Sequence, residues 1–588
     1  MVGQASNLRQ DDHNHAQEMA AMAIIEHDLP CSFFEFEGWR QVQQYVNPDS
    51  GPITTKAVMS FIGKFYVSQK ENLKQIMSKS PSRICLTFDH WTAIDTEQYV
   101  CLTAHFVDEN WKLNSKILSF HKMVPPYSEF ELAKRVHKCL KAWGIDKKLF
   151  SITLDSASMN DNMKDALKER LILHNSLICN GDLFHIRCCA DILNTIVQES
   201  LELISTALQK IRESIRYVKK SKVRKIDFKH CVEQVGGIDT SMDLRLDDYT
   251  GWRSTYAMME IGIRYRHAFF GLALNDSNYK CCPSNEEWKR VVEICNLLEP
   301  FEAIANWMSR TSPPTLNMYF MKMSKIELLL EENVMNVDPM IQDMARRMKE
   351  KFGKYWGDYS VIFALGTIFD PRLKFELTKY CYSLLDPETC HEKVETIKNK
   401  FYFVYSQYKD FGSSSSCHDI EFKSSLGVSM SMLTVLNQPT VSARNEESFT
   451  EVSGDNNDFK GRDGASVGKS ELDYYLEEAI LDPHSFQELD VLDYWKTNRI
   501  RFPHLSRMAC DILSIRFTTV ANESVFSIGS RFLEKYRSTF LSPKDQVLIC
   551  LRNWLYGFKH NEEEIDDDIN IISDDEEDWM MHLPNQGD

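Results

Sequence analysis

Two aspartates stand at the ends of short apolar runs and have the side chains that bind divalent cations. Asp89 follows Ile84, Leu86 and Phe88, and Asp155 closes a second run, Leu-Phe-Ser-Ile-Thr-Leu. Such runs predict buried strands, and ligands in open α/β sheets bind at the carboxyl ends of the strands. Carboxylate oxygens are the ligands that Mg²⁺ prefers. An aspartate at a strand end is equally typical of a turn or a helix N-cap, so the pair needs a third ligand to indicate a metal site.

The elements around these aspartates follow the order βββαβ and then helices. The pattern predicts strands at 82–89, 98–106, 111–120 and 149–155, and helices at 129–143, 161–173 and 186–203. This order is that of an α/β, ribonuclease H-like fold, in which the first strand lies beside the strand after the first helix. The fold therefore predicts that Asp89 and Asp155 are neighbours.

The length of 588 residues predicts several domains or one domain with a large insertion. The pattern indicates a disordered N-terminus at 1–17, a helical region at 18–80, the first part of the core at 81–203, an all-helical insertion at 204–411, a disordered linker at 412–470, a C-terminal helical region at 471–558 and an acidic tail at 559–588. The apolar residues of the region 471–558 require a partner, either the α/β core or another chain.

Charge is unevenly distributed along the chain. Of the net charge of −17, the stretch Asn561–Asp588 carries −12 through twelve acidic and no basic residues, which leaves −5 for the rest. The acidic composition is therefore poor evidence against binding of nucleic acid by the body of the protein. A basic run in the insertion is a candidate for phosphate contact and a weak nuclear-localisation signal, although a solvated helix face would have the same composition. Its central residues are Lys219, Lys220, Lys222, Arg224 and Lys225.

Cysteine usage and hydropathy limit the class of protein. The sixteen cysteines form no framework and no Cys-x-x-Cys pair, so we expect reduced thiols and no zinc finger of that kind. No run of eighteen apolar residues and no signal-peptide pattern is present, so neither a membrane nor secretion is indicated.

The C-terminal region contains Thr518-Thr-Val-Ala-Asn-Glu523-Ser-Val-Phe-Ser, preceded by Leu492-Asp-Tyr-Trp495 and Phe502-Pro-His-Leu. These motifs resemble the dimerisation region of hAT-superfamily transposases. The resemblance extends from Ile24 to Tyr556, and in character the chain is most similar to plant sleeper-type proteins, which derive from such transposases.

The resemblance implies a complete catalytic and metal-binding set, Asp89, Asp155 and Glu523, which would hold Mg²⁺ or Mn²⁺ for DNA cleavage. It also implies a homodimer formed through 471–558. The indole of Trp252 would stack on a flipped-out base, whereas the residues alone are equally consistent with a Trp packed in a helical core.

Departures from the family pattern bear on activity. Asp191 stands where the family has His, Gly251 and Arg253 replace the family's Arg and Asn beside Trp252, and the BED-type zinc finger is missing. The sequence thus predicts a nuclear, DNA-binding, homodimerising host factor derived from a hAT transposase and working without transposition. The alternatives are an active metal-dependent cut-and-paste transposase, and an interaction scaffold that recruits partners through its acidic tail and C-terminal helices.

Overall fold

The structure is a computed structural model. It describes residues 2–46, 51–92, 98–123, 128–155, 159–237, 244–247, 251–309, 316–414, 469–519 and 543–557. Most of the predicted linker and the acidic tail lie outside these residues. Among the described residues, every helix is either too short or too polar to span a bilayer.

A five-stranded mixed sheet forms the centre of the α/β region, in the order β3-β2-β1-β4-β5. Its strands are β1 (Ile84–Thr92), β2 (Gln98–Val107), β3 (Leu113–Lys122), β4 (Leu149–Leu154) and β5 (His185–Arg187). The first three strands pair antiparallel, and β4 lies parallel to both β1 and β5. The predicted ribonuclease H-like order, with the first strand beside the strand after the first helix, is confirmed.

One strand was missed, because residues 186–203 were predicted to be helical. His185–Arg187 pairs with β4 instead, and the helix begins only at Cys189. Three residues, of which Ile186 alone is fully buried, are too few to show a period of two.

Helices surround the sheet and form the insertion. Before and within the α/β region lie α1 (Val2–His27), α2 (Glu37–Val46), α3 (Thr55–Lys79), α4 (Glu129–Trp143), α5 (Met159–Ile172) and α6 (Cys189–Leu201). The insertion contains α7 (Ser205–Lys219), α8 (Lys222–Val235), α9 (Trp252–Arg264), α10 (Arg266–Asn275), α11 (Asn285–Met308), α12 (Tyr319–Val334), α13 (Pro339–Ile368), α14 (Lys374–Leu385) and α15 (Cys390–Ser414). The C-terminal region contributes α16 (Glu471–Glu477), α17 (Val491–Asn498), α18 (Pro503–Leu513) and α19 (Pro543–Tyr556).

The N-terminus differs from the prediction of disorder over 1–17, since α1 already begins at Val2. The second half of this helix buries Ala20, Ala21, Ile24 and Ile25. This packing anchors the helix, and the polar residues before it continue the same helix toward the N-terminus.

Two cores lie on the sheet. Ile84, Leu86 and Phe88 join the core formed with α1, α3, α4, α5 and α19, whereas Cys85 joins the core of the insertion and α16–α18. The alternation of strand side chains explains the division, because successive residues point to opposite faces. Asp89 shares the face of Cys85, which is the face that α16–α18 approach.

The C-terminal region docks on the insertion of the same chain, through a segment at 368–375 that we call the docking segment. The hydrogen bonds run from Tyr475 Oη to Ile368 O (2.7 Å), from Trp495 Nε1 to Phe369 O (2.8 Å), from Leu481 N to Pro371 O (3.0 Å) and from Lys374 Nζ to Glu478 O (2.7 Å). Tyr475 and Trp495 are fully buried. Much of the apolar surface that was expected to need the α/β core or another chain is therefore covered by the helical insertion.

The last helix of the described residues, α19, covers the β3 edge of the sheet. The amide of Ile117 in β3 donates to Asn553 Oδ1 (2.8 Å), and its carbonyl accepts from Trp554 Nε1 (2.7 Å). These two side chains satisfy backbone groups that an edge strand otherwise leaves unpaired.

Candidate functional site

The parallel pairing of β1 and β4 brings the two predicted aspartates to the same edge of the sheet. Phe88 and Leu154 are register partners, and Asp89 and Asp155 are the next residues in each strand direction. The backbone amide of His90 donates to Asp155 Oδ2 at 3.1 Å. Asp89 is buried and Asp155 is half-buried. Strand register alone thus makes the two carboxylates neighbours.

The donor chemistry of this edge fits a divalent cation of the Mg²⁺ or Mn²⁺ type. Both side chains provide carboxylate oxygens, and the His90 amide engages one oxygen of Asp155 in a way that orients the group. Within the described ranges no cluster of three or more candidate ligands occurs. The third predicted ligand, Glu523, lies outside the described residues, so the structure brings together two members of the predicted set.

The C-terminal chain reaches this edge directly after α18. Thr153 Oγ1 in β4 donates a hydrogen bond to Arg516 O, and the amide of Cys189 donates to Phe517 O at 2.6 Å. Thr519 Oγ1 lies 3.6 Å from Cys188 Sγ. The segment 516–519 is therefore fastened to β4 and to the start of α6, beside the strand end that carries Asp155.

Asp191 belongs to the same edge. It lies in the first turn of α6, and Cys188, just before this helix, donates its amide to Leu154 O at 2.8 Å. Burial, followed by the negative charge of Asp191, raises the pKa of the Cys188 thiol. A carboxylate in the first turn is favoured by the helix macrodipole, so Asp191 suits its helix while placing negative charge near the carboxyl ends of the strands.

A buried polar cluster, not indicated by any sequence motif, ties the C-terminal region to the sheet. The carboxylate of Asp511 in α18 accepts hydrogen bonds from Arg83 N at the start of β1 and from Tyr408 Oη in α15, both at 2.6 Å. Burial raises the pKa of Asp511 to about 6, and the nearby Arg83 charge opposes the shift. The three partners are separated by more than 100 residues in sequence, which is why no local pattern predicted the cluster.

Trp252 lies at the first position of α9 with a side chain that is only 2% exposed. Its amide donates to Asn194 Oδ1 in α6 at 3.2 Å, and its ring packs edge-to-face on Tyr256. In this arrangement the indole belongs to the core of the insertion and has no open face for a base. Arg253, at the next position, pairs with Glu302 on α11.

The basic run forms the end of α7 and the beginning of α8. Lys219, Lys220, Lys222 and Lys225 are exposed, and Arg224 is half-buried with its guanidinium 3.8 Å from the centre of the Tyr217 ring. Lys219 also donates from Nζ to Leu244 O at 2.9 Å. We call these five residues the basic face.

Two earlier cations of the run do not contribute to the basic face. Lys210 pairs with Glu287 at 2.8 Å and Arg212 with Asp247 at 2.6 Å. Both are therefore engaged in ion pairs that hold α7 to its neighbours.

The sheet order and the paired aspartates define a ribonuclease H-like core of the transposase type. Four family models match the chain. They are the ZBED1 RNase-like domain at 87–183, the ZBED1 RNase-like helical domain at 186–297, the hAT-like transposase, RNase-H fold at 317–408, and the hAT family C-terminal dimerisation region at 471–555. The third of these matches covers α12–α15, which are helical in this structure.

Relatives with similar sequences extend over nearly the whole chain. The chain is 32% identical over 553 residues to the zinc finger BED domain-containing protein RICESLEEPER 2 of Oryza sativa subsp. japonica, covering 92% of this chain and 75% of that protein. It is 30% identical to DAYSLEEPER of Arabidopsis thaliana, covering 92% and 73%. It is 28% identical to the putative AC transposase of Zea mays, covering 91% and 64%. The chain belongs to the sleeper-type family derived from hAT transposases.

Proposed function

We propose that the protein is a nuclear, DNA-binding host factor that forms homodimers and works without transposition. The basic face carries the proposal, because four exposed lysines and Arg224 concentrate positive charge on one surface of a chain whose net charge is −17. Side chains of this type bind DNA phosphates by releasing counterions, without reading sequence. The relatives named for zinc finger BED domains support a role on DNA, and the cluster at 219–225 supports nuclear import.

The presence of Asp191, where the family has His, supports a function without transposition. A carboxylate near Asp89 and Asp155 disfavours their charged forms and competes with them for a cation. It also replaces a His that could contact DNA in the family.

The match of residues 471–555 to the hAT dimerisation region supports a homodimer. Tyr475 and Trp495 are buried against the docking segment of the same chain, so a dimer interface must be formed by other side chains. Tyr474 and Ile500 are exposed at 53% and 87%, and they offer apolar area on the outer surface of the same region.

An active metal-dependent transposase is the second candidate, favoured by the side-by-side placement of Asp89 and Asp155. The segment 516–519 is hydrogen-bonded beside this edge, and Glu523 follows Thr519 by four residues, which span at most about 14 Å. This short spacing supports Glu523 as the third ligand. Mg²⁺ or Mn²⁺ held by these three carboxylates would activate the attacking oxygen and stabilise the leaving one. The His90 amide orients Asp155 for ligation.

Incubation of the purified protein with supercoiled plasmid and Mn²⁺ tests both candidates. The matched variants are Asp155→Asn, which removes a proposed ligand, and Asp165→Asn, which changes an exposed aspartate on α5. The host-factor proposal predicts a retarded plasmid on a gel and no nicking by any of the three proteins. Nicking by the wild type and Asp165→Asn, lost in Asp155→Asn, would show a working carboxylate site and favour the transposase instead. Absence of retardation at moderate salt would contradict DNA binding.

A further inference from the structure

The outer surface of α8 carries two aliphatic side chains that are not buried in the core of the insertion. Val223 is 65% exposed and Ile226 is 59% exposed. The inner surface is formed by Phe228, Cys231 and Val232, which are buried. Val223 and Ile226 are three residues apart and therefore lie together on the opposite side of the helix.

Lysines border this aliphatic pair. Lys222 and Lys229 flank it on one side, Lys225 lies nearer the core, and Lys219 and Lys220 precede it at the end of α7. The opposing charges on α8 are Asp227 and Glu233, and Glu233 lies 3.5 Å from His230 Nδ1. The outer surface of α8 thus has an apolar centre with a positive border on the side of Lys222 and Lys229, whereas Asp227, four residues after Val223, borders the other side. We call this surface the amphipathic face.

Contact with DNA phosphates accounts for the lysines but not for the aliphatic pair. Phosphate oxygens offer nothing apolar to cover Val223 and Ile226, whereas an acidic segment with apolar side chains matches both parts of the surface. The partner that fits is therefore an acidic, apolar peptide.

Such a segment is present in this chain. Residues 561–588 contain twelve Asp and Glu and no Lys or Arg. Apolar side chains are interspersed among them, namely Ile565, Ile569, Ile571, Ile572, Trp579, Met580, Met581 and Leu583. The described chain ends at Gly557, and the 31 residues beyond it span up to about 100 Å, which is about half the circumference of a globular body of ~65 Å diameter. The tail can therefore reach α8 from the end of α19.

We propose that the acidic tail, residues 561–588, docks on the amphipathic face of α8. Its carboxylates pair with the bordering lysines, and its isoleucines or Trp579 cover Val223 and Ile226. The docked tail occupies the same side chains that we assign to DNA phosphates, so it acts as an internal competitor for the basic face. The docking itself requires no DNA and stands independently of the proposed function.

Site-specific photocross-linking in the full-length chain tests the docking. A benzophenone amino acid replaces Ile226 in one variant and Leu274 in a second, because Leu274 on α10 is 88% exposed but is followed by Asn275 and Asp276 rather than by lysines. Mass spectrometry of tryptic fragments then identifies the attached peptide. We expect at least a five-fold higher yield of peptides from 561–588 at position 226 than at position 274.

Charge dependence makes the test specific. A tail variant with Asp574, Asp575, Glu576, Glu577 and Asp578 changed to their amides should reduce the cross-link at 226 at least five-fold, and 0.5 M NaCl should reduce it similarly because it screens charge pairs at the surface. Equal yields at the two positions, a cross-link unaffected by the amide changes, or the absence of tail peptides at position 226 would each overturn the proposal. All variants keep the folded body unchanged, so circular dichroism should match the wild type.

Discussion

The edge that carries Asp89 and Asp155 and the basic face are both candidate DNA sites, but they are held in place by different forces. Strand register, the His90 amide and the fastening of 516–519 fix the positions of the two carboxylates. The lysines of the basic face are exposed at the end of α7 and the beginning of α8, where Lys219 also donates to Leu244 O and Arg224 stacks on the Tyr217 ring. One site depends on geometry and the other on charge.

Under the proposed function, this difference offers an explanation of how a transposase fold can be kept without transposition. The carboxylate edge is a by-product of the ribonuclease H-like sheet, so its geometry survives as long as the fold is needed for any purpose. A single change beside it, such as the family His becoming Asp191, alters the chemistry and leaves the scaffold intact. The basic face has no such geometric requirement, and only its charge must be retained for binding to DNA.

The first prediction concerns the docking segment, which holds the C-terminal region and thereby the segment 516–519 beside the edge with Asp89 and Asp155. Trp495 is fully buried, packs on Tyr475 and Phe369 at ring distances of 5.0 and 5.4 Å, and donates to Phe369 O. Trp495→Ala should destabilise the protein by about 3–5 kcal/mol, because it removes a large core side chain and leaves a cavity. Thermal unfolding should show a lowered midpoint, and limited proteolysis should cut first within 471–513.

Ile500→Ala is the matched control for this prediction. Ile500 belongs to the same C-terminal region but is 87% exposed, so its truncation should change stability by less than about 0.5 kcal/mol. Similar losses in the two variants would mean that the docking segment does not hold the C-terminal region in place.

The second prediction acts on charge alone. Changing Lys219, Lys220, Lys222 and Lys225 to Gln should weaken binding to duplex DNA by roughly 10- to 100-fold at low salt. The slope of log K against log salt should become shallower by up to about 3.6, since each phosphate contact contributes about 0.9. Fluorescence anisotropy over a salt series measures both quantities. Arg224 is left unchanged because its guanidinium packs on Tyr217.

Four exposed lysines elsewhere provide the control, namely Lys64, Lys138, Lys141 and Lys147. Their change to Gln alters net charge by the same amount, so an equal loss of affinity would show that total charge matters and not the basic face. Asp155→Asn should leave the DNA affinity within about two-fold of wild type, which separates the two sites.

The third prediction concerns pH and the cluster that ties α18 to β1. The pKa of Asp511 is raised to about 6 in the folded protein, so the folded state binds the proton more tightly than the unfolded chain does. This contribution to stability is fully present below the unfolded pKa and is lost as pH rises through about 6. As pH rises from 5.0 to 7.5, the difference in free energy of unfolding between Asp511→Asn and the wild type should therefore shift in favour of the variant by roughly 1.4 kcal/mol.

Asp386→Asn is the control for this prediction, because the pKa of Asp386 is shifted in the opposite direction. Hydrogen bonds from Thr389 and Lys393 lower the pKa of Asp386 to about 2, so its charged form contributes stability above the unfolded pKa. The variant should lose stability relative to wild type, and should not gain any between pH 5.0 and 7.5. Thermal midpoints across this pH range check both variants. A gain for Asp511→Asn that is the same at both pH values would contradict the assigned pKa.

The sequence predicted what local patterns and strand order determine. The apolar runs before Asp89 and Asp155 located two strands, and the βββαβ order made them neighbours. The three-residue β5 and the Arg83–Asp511–Tyr408 cluster were not predictable, because each depends on partners distant in sequence. The residues around Trp252 left its burial open as one of two alternatives, and the structure has it buried. The docking segment was not predictable either, because its role depends on hydrogen bonds from Tyr475 and Trp495 to its carbonyls, more than 100 residues away. Glu523 stays a prediction, since it lies outside the described residues.

The smallest expected effect concerns the acidic tail and the basic face. Removing residues 559–588 should raise DNA affinity by about three- to ten-fold at low salt, and the gain should vanish at high salt because the tail's twelve charges are screened. Two mechanisms would give this result: general repulsion of DNA by the tail, or occupancy of the basic face. The same truncation in the variant with Lys219, Lys220, Lys222 and Lys225 changed to Gln separates them, because a docked tail can release only a surface that it occupies. If the tail docks, truncation should give little gain in that background; an undiminished gain would mean repulsion at a distance and would leave the basic face unoccupied in the full-length chain.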